Sequence, residues 1–260
     1  MEDMFGLAGK TAIVWGGGQS MGEAYALRLA RVGCNVAVVD LVAERAETVA
    51  EKVRKLGLQS VGLTADARDP ASVEAAVERT ERELGPLQAM ATIIGMAQHW
   101  GPVLEMSLEQ WRDDNSLNLE TFLLTAQAAA RRMVRHGSGA IVGTVSISGL
   151  TSAPAHAAYG AAKAGIANLI RSMAAELGPN IRVNGVAPGP VATLRVAKEF
   201  GAEGAKTFPM PRLPMQRSAS VDEMAKAGLF LLSDLASYVT GHTLPVEGGW
   251  QAAYLVGRES

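Results

Sequence analysis

Short apolar runs alternate with longer amphipathic stretches along the chain. Thr11–Trp15, Asn35–Asp40, Gln59–Thr64, Ala89–Ile94, Ala140–Val145, Arg182–Ala187 and Thr243–Val246 read as strands. Their hydrophobicity is continuous rather than alternating, which fits strands buried on both faces. Helical stretches lie between them. Met21–Val32 closes on Gly33, Val42–Leu56 closes on Gly57, and a third helix opens at Asp69-Pro70 and runs to Leu84. Ser107 with Gln110 forms a capping box for a long helix reaching Arg135; Ser220 with Glu223 does the same for a helix ending at Leu232. In Tyr159–Leu177 the apolar residues Ile166, Leu169, Ile170, Met173 and Leu177 recur at helical spacing. Pro188–Pro214, rich in Pro, Gly and Met, breaks this rhythm and reads as a mobile excursion from the sheet. The alternation predicts an α/β fold: a doubly wound parallel sheet of about seven strands, helices on both faces, residues 1–260 in one domain.

Composition narrows the functional classes. With 260 residues, 48% of them hydrophobic, the chain can bury a large core. A formal net charge of −2 argues against nucleic acid or an anionic membrane as partner. No apolar run reaches the ~18 residues of a membrane span. Met1–Lys10 lacks a leader pattern, and the single cysteine, Cys34, can form no internal disulfide, so a cytoplasmic address is expected. His99, His136, His156 and His242 include no pair at metal-ligand spacing, so no metal site is expected.

The chemistry concentrates in two places. After the first strand comes Gly16-Gly17-Gly18-Gln19-Ser20-Met21-Gly22, then a helix. Glycines let a backbone approach a pyrophosphate, and the helix N-terminus supplies amide donors. Asp40 ends the second strand, where a carboxylate can accept from adenosine ribose hydroxyls and repel a 2′-phosphate. The loop holds no Lys or Arg, so NAD(H) is expected over NADP(H). Asp40 can also cap the next helix. Further on, Tyr159 and Lys163 stand one helical turn apart, and Ser146 ends the strand Ala140–Val145, on the edge where open α/β sheets bind ligands. The Tyr–Lys spacing alone is common by chance.

Together these residues resemble the short-chain dehydrogenase/reductase family over nearly the whole chain. The resemblance rests on Gly16, Gly22, Asp40, Asp66, Asn118, Ser146, Tyr159, Lys163, Pro188-Gly189, Ser237-Tyr238-Val239-Thr240-Gly241 and Val246-Glu247-Gly248-Gly249. It implies a Rossmann-like fold and a nicotinamide-dependent oxidoreductase acting between a secondary alcohol and its ketone. Tyr159 would be the general acid/base, Ser146 would hold the substrate oxygen, and Lys163 would favour the phenolate and bind the nicotinamide ribose. Asn118 would anchor a proton-relay water. Gly16, Gly18, Ser20, Met21 and Gly22 would cradle the pyrophosphate. Asp66 and Ala67 would flank the adenine, Gly95 the riboses, and Pro188, Gly189, Val191 and Thr193 the nicotinamide end. Ser148, Met96, Trp100, His156, Leu194 and Met210 would wall the substrate pocket beneath a lid at 190–214. Largely apolar walls suit a lipophilic or cyclic alcohol. Family members are commonly homotetramers, and the same assembly is expected here.

The chain departs from the family at Trp15, where threonine is usual, at Ser20, where a third glycine is usual, and at Thr92-Ile93-Ile94-Gly95, where Asn-Asn-Ala-Gly is usual. Apolar contact between Trp15 and the fourth strand is expected to replace the usual polar tie. Two other activities compete. A 3-oxoacyl-thioester reductase would favour NADPH and a basic loop residue. A cofactor-binding regulator would have lost Tyr159 or Lys163. An enoyl reductase would space its tyrosine and lysine more widely than four residues.

Overall fold

The computed structural model describes residues 3–193, 195–196 and 207–252. Seven strands form one parallel sheet: β1 (Thr11–Trp15), β2 (Asn35–Asp40), β3 (Ser60–Thr64), β4 (Leu87–Thr92), β5 (Gly139–Thr144), β6 (Ile181–Pro188) and β7 (Thr243–Val246). Their spatial order is β3-β2-β1-β4-β5-β6-β7. Each neighbouring pair is parallel, so each connection crosses over one face of the sheet.

The helices described in full are α1 (Ser20–Arg31), α2 (Ala43–Arg54), α3 (Pro70–Leu84), α4 (Leu108–Asn115), α5 (Thr121–His136), α6 (Ala157–Leu177) and α7 (Val221–Leu232). Successive residues of a strand point to opposite faces. In β1, Ile13 and Trp15 therefore join the core under α3, α5 and α6, while Ala12 and Val14 join the core under α1, α2 and α7. Both faces are covered, which is why the strands read as unbroken apolar runs. The expected caps are present: Asp69 accepts from the Ala71 and Ser72 amides, and both Ser–x–x–Gln/Glu boxes close.

Two expectations need correction. β4 ends at Thr92, not Ile94. Ile93 still donates to the Trp15 carbonyl at 2.8 Å, but Gly95, at φ 129°, then turns the chain into a conformation that side chains rarely adopt. The long helix after Ser107 is also not regular. A π-helical turn, Ser116–Glu120, separates α4 from α5. There the Asn118 side-chain amide donates to the Asp114 carbonyl at 2.8 Å.

Trp15 lies opposite Thr92 in the ladder and is 1% exposed. It shares its core with Met90, and Ile94 packs against the same cluster. The Thr92 hydroxyl turns instead to that of Thr125, at 3.1 Å. Apolar packing thus joins β1 to β4 where the family has a polar tie. The indole Nε1 is buried without a partner, a penalty of about 1–3 kcal/mol that the ring's burial offsets. Trp15→Ala is expected to destabilise the fold by about 3–5 kcal/mol in urea unfolding. A loss below about 1 kcal/mol would show that the ring does not hold the two strands.

Candidate active site

The order of strands reverses between β1 and β4, and a cavity of about 1240 Å³ opens at the carboxyl ends around this switch. Its volume exceeds that of an ordinary small-ligand pocket. One end is walled by Gly16, Ser20, Met21, Gly22, Asp40, Asp66 and Ala67; the other by Ser146, Ser148, His156, Tyr159 and Lys163.

At the first end the glycine loop packs tightly on the start of α1. A β-carbon on Gly22 would run into the Gly16 carbonyl. Gly18 stands off the wall, beside Asp40: its N–H donates to Asp40 Oδ2 at 3.1 Å, and Val42 N–H donates to Oδ1 at 3.0 Å. The carboxylate therefore ties the glycine loop to the β2–α2 connection while still lining the cavity; the expected cap is not formed, because the N-cap of α2 is Val42, which has no side-chain cap bond. Ser20 adopts φ 52°, the left-handed conformation that explains why glycine is usual there. Its hydroxyl is buried without a partner, which suits a loop awaiting an acceptor. Asp66 accepts from the Arg68 backbone at 2.9 Å and from its guanidinium at 3.1 and 3.2 Å. Those bonds hold its carboxyl below the usual range. Arg68 lines the cavity too, a residue the sequence did not single out.

The other end is built on β5 and α6. Ser146 follows β5 and accepts from the Ser148 amide at 3.2 Å. Lys163 Nζ lies 5.6 Å from the centroid of the Tyr159 ring. It donates to the carbonyls of Thr144 at 2.8 Å and Ile94 at 3.4 Å. Burial pulls the ammonium down to about 7. Lys163 is expected to favour the phenolate jointly with the positive charge of oxidised nicotinamide. Burial pushes the Tyr159 phenol up, outweighing the downward pull of its hydrogen bond with Ser146 and of the Arg195 charge. The phenol is thus held protonated.

Asn118 is fully buried behind Gly95 rather than on the wall. Its Nδ2 donates to the carbonyls of Met96 at 3.0 Å and Asp114 at 2.8 Å, leaving Oδ1 unpartnered. Those two bonds fix the amide's orientation. A β-carbon on Gly95 would press on both Asn118 Oδ1 and Lys163 Nζ, so only glycine leaves that junction open.

Around Tyr159, Ser148 Oγ pairs with His156 Nε2 at 3.0 Å, and the His156 ring lies 4.6 Å from Trp100 and 5.9 Å from Tyr159. Met96, Trp100 and Met210 complete this part of the wall, with Pro188, Gly189, Val191 and Thr193 beside them. The Thr193 hydroxyl accepts from the Val196 amide at 3.2 Å, so it caps the turn that follows. Leu194 and residues 197–206 of the 190–214 excursion lie outside the described residues. Arg195 is described and reaches the cavity.

A dinucleotide-sized cleft at the sheet's switch point, ending on a serine, a tyrosine and a lysine, defines a nicotinamide-dependent oxidoreductase class. The family model described as enoyl-(acyl carrier protein) reductase matches residues 16–251. The chain is 38% identical to cis-4-hydroxycyclohexanecarboxylate dehydrogenase of Sinomonas cyclohexanicum, covering 94% of this chain and 98% of the relative. It is 32% identical to 5-keto-D-gluconate 5-reductase of Escherichia coli, over 97% of this chain and 100% of that one. The structure of a 7α-hydroxysteroid dehydrogenase complexed with NADH and 7-oxo glycochenodeoxycholic acid superposes with TM-score 0.86 at 29% identity, covering 96% of this chain and 97% of that one. The chain belongs to the short-chain dehydrogenase/reductase family.

Proposed function

We propose that the protein interconverts a secondary alcohol and its ketone with NAD(H), using Tyr159 as proton donor and acceptor. The observation that carries this is the meeting of Ser146, Tyr159 and Lys163 at one end of the cleft. The close approach of Gly22 to Gly16 and the carboxylate of Asp40 at the other end fit a dinucleotide. The one-turn spacing of Tyr159 and Lys163 supports carbinol chemistry over the enoyl reduction that the family description names. Both relatives above are named for substrates bearing a hydroxyl or keto group.

Bound nicotinamide supplies the hydride acceptor or donor. The chain's own residues do the rest. Ser146 donates to the substrate oxygen and, with the phenol, steadies negative charge developing there. In reduction the protonated phenol gives its proton to that oxygen; in oxidation the phenolate removes it. Lys163 would hold the nicotinamide ribose beside Tyr159. Asn118 Oδ1, an unused acceptor at the Gly95 junction, is positioned to hold a water that refills the proton. Gly16, Ser20, Met21 and Gly22 would hold the pyrophosphate, Asp66 and Ala67 the adenine, and Val191 and Thr193 the carboxamide and pyrophosphate. NADH formation with cyclic, aromatic and aliphatic secondary alcohols tests the reading, and a protein that binds NADH yet oxidises none of them defeats it.

The preference for NAD(H) rests on Asp40. The Arg45 stem and the Asp40 carboxylate both abut Gly18, each 2.7 Å from where a β-carbon would stand. Asp40→Ala removes the repulsion of a 2′-phosphate. The ratio of kcat/KM for NAD over NADP is expected to fall by roughly tenfold or more. An unchanged ratio would take Asp40 out of cofactor choice.

A homotetramer belongs to the same proposal. Val103, Leu104 and Leu108 are exposed near the start of α4, and Ala161 and Ala164 are exposed on α6, a surface suited to self-association. Gly160 and Gly165 do not share that role, because they pack inward against Ala153 and Leu119. Among the described residues no helix is long and apolar enough to cross a membrane.

A further inference from the structure

Several polar side chains at the Tyr159 end of the cavity are already committed. Ser146 is hydrogen-bonded with the Tyr159 phenol. Lys163 is 1% exposed and turned to two backbone carbonyls. The Thr151 hydroxyl donates to the Ile147 carbonyl at 3.0 Å. Ser148 and His156 differ. They line the cavity as a pair, with Ser148 Oγ 3.0 Å from His156 Nε2. Neither takes part in the proton transfer assigned to Tyr159.

The imidazole is held in place around this bond. The Trp100 ring packs on it with centroids 4.6 Å apart. The Gly101 amide donates to the Ala155 carbonyl at 2.8 Å, which ties the Trp100 segment to the start of α6. Ala155 takes φ 65°, a left-handed conformation that strains a residue with a β-carbon. His156 stands at the N-cap of α6 yet its side chain caps no amide, so capping does not account for it. Its Nδ1 is buried without a partner, so no second hydrogen bond fixes which ring nitrogen carries the proton. With the proton on Nδ1, Ser148 donates to Nε2 and turns a lone pair to the cavity. With the proton on Nε2, the ring donates to Ser148 Oγ and the hydroxyl hydrogen is free to point into the cavity. Ser148 can therefore accept or donate on its open side, which matches another hydroxyl. The Ser148 amide donates to Ser146 Oγ at 3.2 Å, so this group stands beside the serine that would hold the reacting oxygen.

We propose that Ser148 and His156 form a second oxygen subsite, and that the substrate is a diol, or the corresponding hydroxy ketone, whose second hydroxyl adjoins the reacting carbon. Ser148 touches that hydroxyl. His156 is a positioning residue that sets the sense of the Ser148 hydrogen bond. This rests on the alcohol–ketone reading above and names its substrate class. In oxidation the hydride leaves the carbinol carbon for NAD, the hydroxyl proton leaves for Tyr159, and the carbinol becomes a carbonyl. The second hydroxyl makes and breaks no covalent bond; it fixes which carbon is presented.

The test measures binding apart from turnover. Cyclohexane-1,2-diol and cyclohexanol are titrated calorimetrically into the full-length protein loaded with NADH, for wild type, Ser148→Ala, Ser148→Thr and His156→Phe. NADH affinity is measured separately by fluorescence. Wild type is expected to favour the diol by roughly three- to tenfold, the range of one neutral hydrogen bond. Ser148→Ala should bring the two alcohols to parity, and Ser148→Thr should keep most of the gap. His156→Phe, which retains a ring against Trp100, should narrow it. The ring-nitrogen NMR signals of His156 should move further with the diol than with cyclohexanol, a response that a packing role for the ring would not give. Equal binding of the two alcohols by wild type overturns the proposal. So does a gap that survives either Ser148→Ala or His156→Phe. A loss of NADH affinity in Ser148→Ala as large as the loss for the diol overturns it too, by assigning the hydroxyl to the cofactor. NADH formation from both alcohols with NAD is followed in parallel. Serine-dependent diol binding without oxidation of either alcohol would defeat the functional reading and leave the subsite standing. Oxidation of cyclohexanol without diol preference would do the reverse.

Discussion

Tyr159→Phe is expected to bind NADH as wild type does and to lose roughly 10²–10⁴-fold in kcat. Only the oxygen is removed; the ring keeps its place 5.9 Å from His156. Unfolding midpoint and NADH titration should therefore barely move, which separates loss of chemistry from loss of structure. A kcat within tenfold of wild type would remove Tyr159 from proton transfer. The wild-type pH profile offers a second check. Ketone reduction needs a protonated phenol, and burial raises its pKa above the ordinary 10.0. Reduction should stay level through neutral pH and fall only as pH climbs past that ordinary value. A reduction rate that falls already near neutrality would contradict a phenol held protonated by burial.

Lys163→Met should have two large and opposite effects. In the unfolded chain the ammonium keeps its proton up to its ordinary 10.5, whereas burial in the cofactor-free fold releases it from about 7. Between those values the unfolded state binds more protons, so this group makes stability rise with pH. Below about 7 both states are protonated and the whole penalty of burying the charge is present. Methionine has a similar length and no charge. The variant is therefore expected to be more stable than wild type in acid, with the difference shrinking as pH approaches 10.5. Unpairing the Thr144 and Ile94 carbonyls offsets part of the gain. Turnover should fall by roughly 10² or more, because residue 163 then has no donor for the nicotinamide ribose. Urea unfolding across pH, paired with kcat, reads both effects. A stability difference independent of pH would show that residue 163 carries no depressed ammonium.

Much of this was legible in the sequence because the signals are local. Continuous apolar runs mark strands covered on both sides, and capping residues fix where α3, α4 and α7 begin. Ser146, Tyr159 and Lys163 could be foreseen in one cleft because a strand's carboxyl end and the next helix meet there. What escaped depends on the folded arrangement. Nothing in the apolar spacing of residues 107–135 shows that the helix widens at Ser116, since the irregularity comes from a side chain bonding a carbonyl one turn back. Gly18 sits in the glycine loop yet turns to Asp40, a contact that sequence distance conceals. Arg68 and Arg195 read as ordinary surface cations until the chain brings each to the cavity. The upward push of burial on the Tyr159 phenol also escapes a sequence reading, because it depends on every element packed around the ring.

The widened turn at Ser116–Glu120 also sets which length changes the gene can tolerate. Each residue advances a helix by about 100° in azimuth. Removing one residue from this turn would restore a regular ladder and, in the same event, rotate Asn118 away from Gly95 and Lys163. Local helix order would improve while Asn118 Oδ1 lost its place at the Gly95 junction, where the proposed water would be held. A codon deletion there should yield a well-folded but slow enzyme, whereas one in the exposed approach around Val103–Glu105 should leave turnover nearly intact.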